Sequence, residues 1–220
     1  MGRYDSWVRQ PFPFPWSVGR TSVLVALVGL TGLLLGVLTA FGQKWLPVRV
    51  GSLANSTGSW CLVAFLLALL ATSRRVAVVC GALALASLLA GYVLGASVRG
   101  YPSSRSLLVF WGLAAVLVGP ILGLGADWVK SGRPALAALG TGAISGLLVG
   151  EGVYGLAFIA DTTYPPYWWG EMIVGIALLC WVSMRRFRRL YLAALAVVFT
   201  LVVAVAFVQV YSQDLISMIL

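Results

Sequence analysis

Histidine is absent from this chain, and only 6 of its 220 residues are Asp or Glu. Zinc sites draw on Cys and His, and proton relays within membranes often draw on His, so neither route is open. The 3 cysteines, Cys61, Cys80 and Cys180, each sit inside an apolar run without CxxC spacing. They read as small buried side chains, which argues against metal, haem or iron–sulfur ligation. Charge of either sign is scarce: Asp, Glu, Lys and Arg together make up 10% of the chain, against about a quarter in soluble domains. That shortage excludes a soluble globular protein, and the abundance of Leu, Val and aromatic residues excludes disorder.

What is present is hydrophobic sequence. The hydrophobic share is 61%, and the mean hydropathy is +1.00. One membrane span needs about 20 residues, so the length accommodates roughly six to eight spans. The expected fold is all-α, a polytopic membrane helix bundle of seven transmembrane helices. The spans are expected at residues 22–42, 51–72, 76–98, 106–129, 134–160, 166–184 and 190–211. Asn55, Ser56 and Thr57 dilute the start of the second. Residues 1–20, with Trp7, Phe12, Phe14 and Trp16 around three prolines, read as an interfacial segment rather than a cleavable leader. Residues 21–211 form the single transmembrane domain, and 212–220 a tail.

Seven spans place Arg3, Arg9, Arg20, Arg74, Arg75, Lys130, Arg133, Arg185, Arg186, Arg188 and Arg189 on one side. Only Lys44, Arg49, Arg99 and Arg105 fall on the other. The positive-inside rule then predicts a cytoplasmic N-terminus and an outer C-terminus, in a bacterial plasma membrane. The net charge of +9 is accounted for by topology and by anionic headgroups, not by nucleic acid. Gly142, Gly146 and Gly150 recur every four residues, as do the pairs Gly32–Gly36, Gly91–Gly95 and Gly119–Gly123. This spacing predicts tightly packed helices.

The costly residues point to function. A carboxyl at lipid depth must find a partner or keep its proton. Glu151, Asp161 and Glu171 fall at one level on the fifth and sixth spans and the hairpin between them, with no Lys or Arg in that hairpin. Aromatic residues gather at the same level: Tyr154, Phe158, Tyr167, Trp168 and Trp169 in the hairpin, and Trp60, Tyr92, Phe110 and Trp111 on other spans. Part of this is the usual interfacial belt, and bonds to Tyr, Trp or Thr are the plainer role for each acid. Asn55 lies nearby in depth. The expectation is an aromatic-lined pocket holding an acid, with Glu171 as proton donor, Glu151 as second acid or water-positioning group, and Asp161 bonded to one of them or capping the hairpin. Trp168, at i−3, shares a helix face with Glu171, and Tyr154, at i+3, with Glu151.

A raised-pKa acid can protonate an alkene or epoxide, and aromatic faces stabilise the resulting cation. No DDxxD-like cluster for Mg²⁺ is present, which argues against ionisation of a diphosphate. The size, the seven expected spans and the acids in the GEGVYG and YWWGE segments resemble the small integral-membrane terpene cyclases of meroterpenoid and indole-terpenoid pathways. That resemblance implies a metal-free, cofactor-free cyclisation of a hydrophobic prenylated molecule, started by a carboxylic acid. The Phe41–Gly42–Gln43 and Leu53–Ala54–Asn55–Ser56 segments also resemble an uncharacterised group of actinobacterial membrane proteins. The alternatives are a small-molecule carrier or the substrate-binding subunit of a vitamin uptake system, and a non-catalytic membrane partner.

Overall fold

A computed structural model describes residues 18–101 and 103–212; the expected interfacial segment up to residue 17 and the tail from 213 lie outside them. The described residues are helical, without strands. Helix α1 spans Val18–Trp45. A four-residue helix, α2, at Val48–Gly51 runs into a 3₁₀ turn at Ser52–Ala54, and α3 follows at Thr57–Leu69. The remaining helices are α4 (Arg74–Val98), α5 (Arg105–Lys130), α6 (Pro134–Phe158), α7 (Pro165–Arg186) and α8 (Leu190–Ser212).

Six helices are long and apolar enough to cross a membrane, or seven spans result if the bent pair Val48–Ala54 and Thr57–Leu69 counts as one. The expected continuous helix over residues 51–72 is therefore corrected. The chain bends by 56° at Asn55 and Ser56, whose backbones leave the helical region. Short polar side chains offer the backbone a competing partner. Here the Ser56 hydroxyl takes the Ser59 amide at 3.0 Å, ending one helix and starting the next. Ser73 does the same for α4, and Pro134 and Pro165 open α6 and α7, where a missing N–H costs nothing.

Helix α6 is the centre. Its apolar stretch is 67% buried, against 28% to 39% for the other five long helices. Gly142, Gly146 and Gly150 make this closeness possible. A Cβ on them would lie 2.6–2.9 Å from the carbonyls or backbone of Ala196, Thr200 and Ala204 on α8, too near for any side chain. The other glycine pairs bring α1 onto α4 and α4 onto α5 in the same way. Around this core, Leu27, Leu34, Leu38, Val197, Leu201 and Val205 point outward, as helices facing lipid require.

One end of the bundle collects cations. Arg74 pairs with Asp127 at 3.1 Å, the Lys130 ammonium donates to the carbonyls of Leu69 and Ala71, and Arg186 donates to the Ser131 carbonyl at 2.8 Å. The short connections after α3, α5 and α7 thus meet at one level.

Candidate functional site: two carboxyls on the start of a broken helix

Helix α3 has 13 residues and rises about 20 Å, so its first turn lies that far from the cationic end. The four leading amides of a helix lack internal partners and carry partial positive charge. At α3 two of them meet an acid from one neighbour, and the capping Ser56 hydroxyl meets a second acid from another. Glu151 of α6 accepts the Thr57 amide at 2.8 Å, and also the Gly58 amide and the Ser56 hydroxyl at 3.1 Å. Glu171 of α7 lies 3.0 Å from the same Ser56 hydroxyl and within hydrogen-bonding reach of Glu151. Both acids and Ser56 are buried, at 5%, 8% and 1% exposure. The second Glu171 oxygen, Oε2, is buried with no hydrogen-bond partner among the described residues.

Gly58 is the residue that permits this convergence. A Cβ there would collide with Glu171 Oε1 and lie 2.7 Å from Glu151 Oε2. The site thus depends on a small residue in the first turn of α3, just past the Asn55–Ser56 break.

Aromatic residues flank the turn in two groups. On the α6–α8 side, the Tyr211 hydroxyl meets the Thr57 hydroxyl at 2.8 Å, and its ring stacks on Phe207 and meets the edge of Tyr154. On the α4–α5 side, Trp60 contacts Tyr92 and Trp111, both at 5.9 Å between centroids, and Phe110 abuts Trp111. A small apolar cleft opens there, walled by Thr57, Trp60, Cys61, Leu85, Trp111 and Val118 among others. Thr57 therefore belongs to both places: it lines the cleft, while its amide holds Glu151 and its hydroxyl meets Tyr211.

Of the residues singled out in the sequence, Glu151 and Glu171 come together, with Tyr167 close to Ser56. Trp60, Phe110, Trp111 and Tyr92 cluster beside the cleft. Tyr154 reaches the acids' turn only through Tyr211. Asn55 is exposed and bonds to Gln43, which reaches the Tyr92 hydroxyl at 3.2 Å. Trp168 is buried against Gly155 and commits its indole N–H to Thr163 at 2.8 Å. Asp161 is exposed in the α6–α7 turn and bonds to neither glutamate. Phe158 and Trp169 point outward, each 55% exposed. The sequence reading missed Ser56, Thr57 and Gly58 as the acids' partners. The signal was there, in three polar or small residues inside an otherwise apolar run.

Residues 17–216 match the family of unknown function DUF6518. The chain belongs to that family. No curated protein and no solved structure matches it. Among the described residues, no group of three or more His, Cys, Asp or Glu could hold a metal ion.

Proposed function

We propose that this DUF6518 protein is a multi-pass enzyme of a bacterial plasma membrane that acts by proton transfer on a lipid-soluble substrate. In this reading the bent pair is the second of seven spans, the N-terminus is cytoplasmic, and the cationic end faces the cytoplasm. The first turn of α3 then sits within the outer part of a hydrocarbon layer about 30 Å thick.

The observation that carries the reading is the convergence of two carboxyls on one hydroxyl. Ser56 has a single hydroxyl hydrogen, and two carboxylate oxygens cannot both accept it. One extra proton completes the arrangement. Glu151 already accepts two backbone amides at a helix N-terminus, which stabilise its charged form. The proton therefore belongs to Glu171, which can donate to Ser56 or to Glu151. One carboxylate is enough to cap α3, so the second acid has a role other than holding the helix.

The cleft on the α4–α5 side of α3 is apolar, is walled in part by Trp60 and Trp111, and shares Thr57 with the acids' turn. An uncharged apolar molecule crosses a bilayer unaided, so transport gives it little, whereas an acid near it can do chemistry. The reading that fits is the protonation-initiated terpene cyclase suggested by the sequence resemblance. Glu171 gives a proton to an alkene carbon or an epoxide oxygen that reaches past Thr57. The ring faces of Trp60 and Trp111 stabilise the cation. A final proton loss, to one of the two carboxylates, leaves an isomer of the substrate.

The test is purified protein in EDTA, without ATP, supplied with a farnesylated phenolic acceptor. The expected product is a cyclised isomer of unchanged mass, lost in Glu171→Gln while the folded yield is kept. Full activity in both Glu171→Gln and Glu151→Gln removes the pair from the mechanism. The broken helix favours a second reading, a carrier, because transporter sites often use such half-helix termini. Its cargo would carry a polar head to the acid pair, and saturable binding with unchanged ligand would mark it.

A further inference from the structure

At the end of the bundle opposite the acids, the connection between α7 and α8 reads Arg185–Arg186–Phe187–Arg188–Arg189. Phe187 packs against the small core shared by α6, α7 and α8, with Ala138, Leu179 and Ala196. That anchor leaves the four flanking arginines exposed. Arg186 donates to the Ser131 carbonyl at 2.8 Å, which ties this connection to the one between α5 and α6. Arg133, two residues on from Ser131, is exposed there as well. Two other cations of this end have protein partners: Arg74 pairs with Asp127, and Lys130 donates to two carbonyls. The arginine patch has no such answer. No Asp or Glu occurs in residues 128–150 or 172–213. The side chains of Arg133, Arg185 and Arg189 have no ion pair or hydrogen bond among the described residues.

We propose that Arg133, Arg185 and Arg189, on the two connections joined by the Arg186–Ser131 bond, form a headgroup site for a phospholipid bearing two phosphates. Like charges held together repel one another, and an anion seated among them removes that cost. The residue type narrows the anion. These connections expose arginine and no free lysine, and the guanidinium fork matches phosphate in a way that an ammonium does not. The surroundings narrow the source. Met184 and Leu190, at either end of the connection, are 80% and 86% exposed, and Trp181 and Tyr191 are exposed beside them. Apolar side chains and arginines presented together fit an amphiphile, so the phosphate arrives on a lipid. A headgroup with two phosphates answers three unpaired cations better than one with a single phosphate. Basic pockets at helix ends are a known setting for such lipids. The inference does not rest on the proton chemistry of the acid pair, nor on which side of the membrane this end faces.

The test is native mass spectrometry of the full chain in a non-ionic detergent, titrated with tetraoleoyl-cardiolipin or dioleoylphosphatidylcholine. Cardiolipin is expected to bind at least about tenfold more tightly, and inorganic phosphate should not displace it. The decisive variant replaces Arg133, Arg185 and Arg189 together with Lys. It keeps the net charge of +9, so attraction by charge alone is unchanged, whereas the forked contacts to phosphate are lost. Cardiolipin binding should then weaken about tenfold, with thermal unfolding in detergent unchanged. Arg75→Lys, on the connection between α3 and α4, should leave binding as it was. Equal binding of the two lipids overturns the proposal, and so does full binding in the triple Lys variant, which would reduce the patch to diffuse charge. An equal loss in Arg75→Lys overturns it too, because the effect would not be local. Displacement by inorganic phosphate, or equally tight binding of a poly-glutamate peptide, rejects a lipid as the occupant.

Discussion

The two ends of α3 are both capped, but by different means. At its C-terminal end a single ammonium, Lys130, donates to the carbonyls of Leu69 and Ala71. A cation there complements the negative end of the helix dipole, and it sits among other charges near Arg74 and Asp127. At its N-terminal end, one carboxylate would do the equivalent work, and Glu151 does it with two backbone amides. Yet a second carboxyl, Glu171, is buried beside the first, with one oxygen unpartnered. The C-terminal end has the composition of a structural cap. The N-terminal end has an acid more than a cap needs, and the proposed function assigns the proton chemistry to that surplus acid.

Substitutions can break this comparison. The largest effect is expected at Gly58→Ala, whose methyl group enters the space of both carboxyls. Overpacking of this kind costs about 3 kcal/mol and should appear as a clear fall in thermal stability together with loss of activity. Glu151→Ala comes next, because it strands the Thr57 and Gly58 amides. The expected cost is about 2 kcal/mol, with Glu151→Gln recovering part of it through its carbonyl oxygen. Lys130→Met removes the opposite cap and should cost about 1 kcal/mol without changing activity. Glu171→Gln should change stability by less than about 1 kcal/mol, since the amide can still donate to Ser56. It should nevertheless abolish product formation. A large stability loss in Glu171→Gln, or unimpaired activity in it, would make the two ends of α3 equivalent and remove the distinction.

The helical architecture was legible because apolar runs of span length, separated by arginine pairs and prolines, leave little alternative. Glycine spacing marked α6 as a packing helix, and its contacts with α8 follow that stripe. The pairing of Glu151 with Glu171 was also legible, from their equal level on consecutive spans. The aromatic residues were harder to read. Sequence depth is one coordinate, and it does not say which way a ring points around its helix. Trp169 and Phe158 share the level of the acids yet face outward, whereas Trp168, one residue away, is buried under Gly155. Asp161 has the right depth but sits in a turn, where an exposed carboxylate needs no partner. The break at Asn55–Ser56 was visible only as a dip in hydropathy. That it ends one helix and starts another depends on Ser56 capping the Ser59 amide and on Glu151 meeting the new N-terminus from 95 residues away, a long-range event that no local window contains.

The most direct test of the central claim is infrared difference spectroscopy of the carboxyl groups, with protein in nanodiscs at pH 7. Cys61 of α3, Tyr167 of α7 and Tyr211 of α8 are the other titratable groups around the pair, and none contributes in the carboxylic C=O region. The account predicts one protonated carboxylic acid band in the wild-type protein, absent in Glu171→Gln. No such band at pH 7, or a band that persists unchanged in Glu171→Gln, would contradict it.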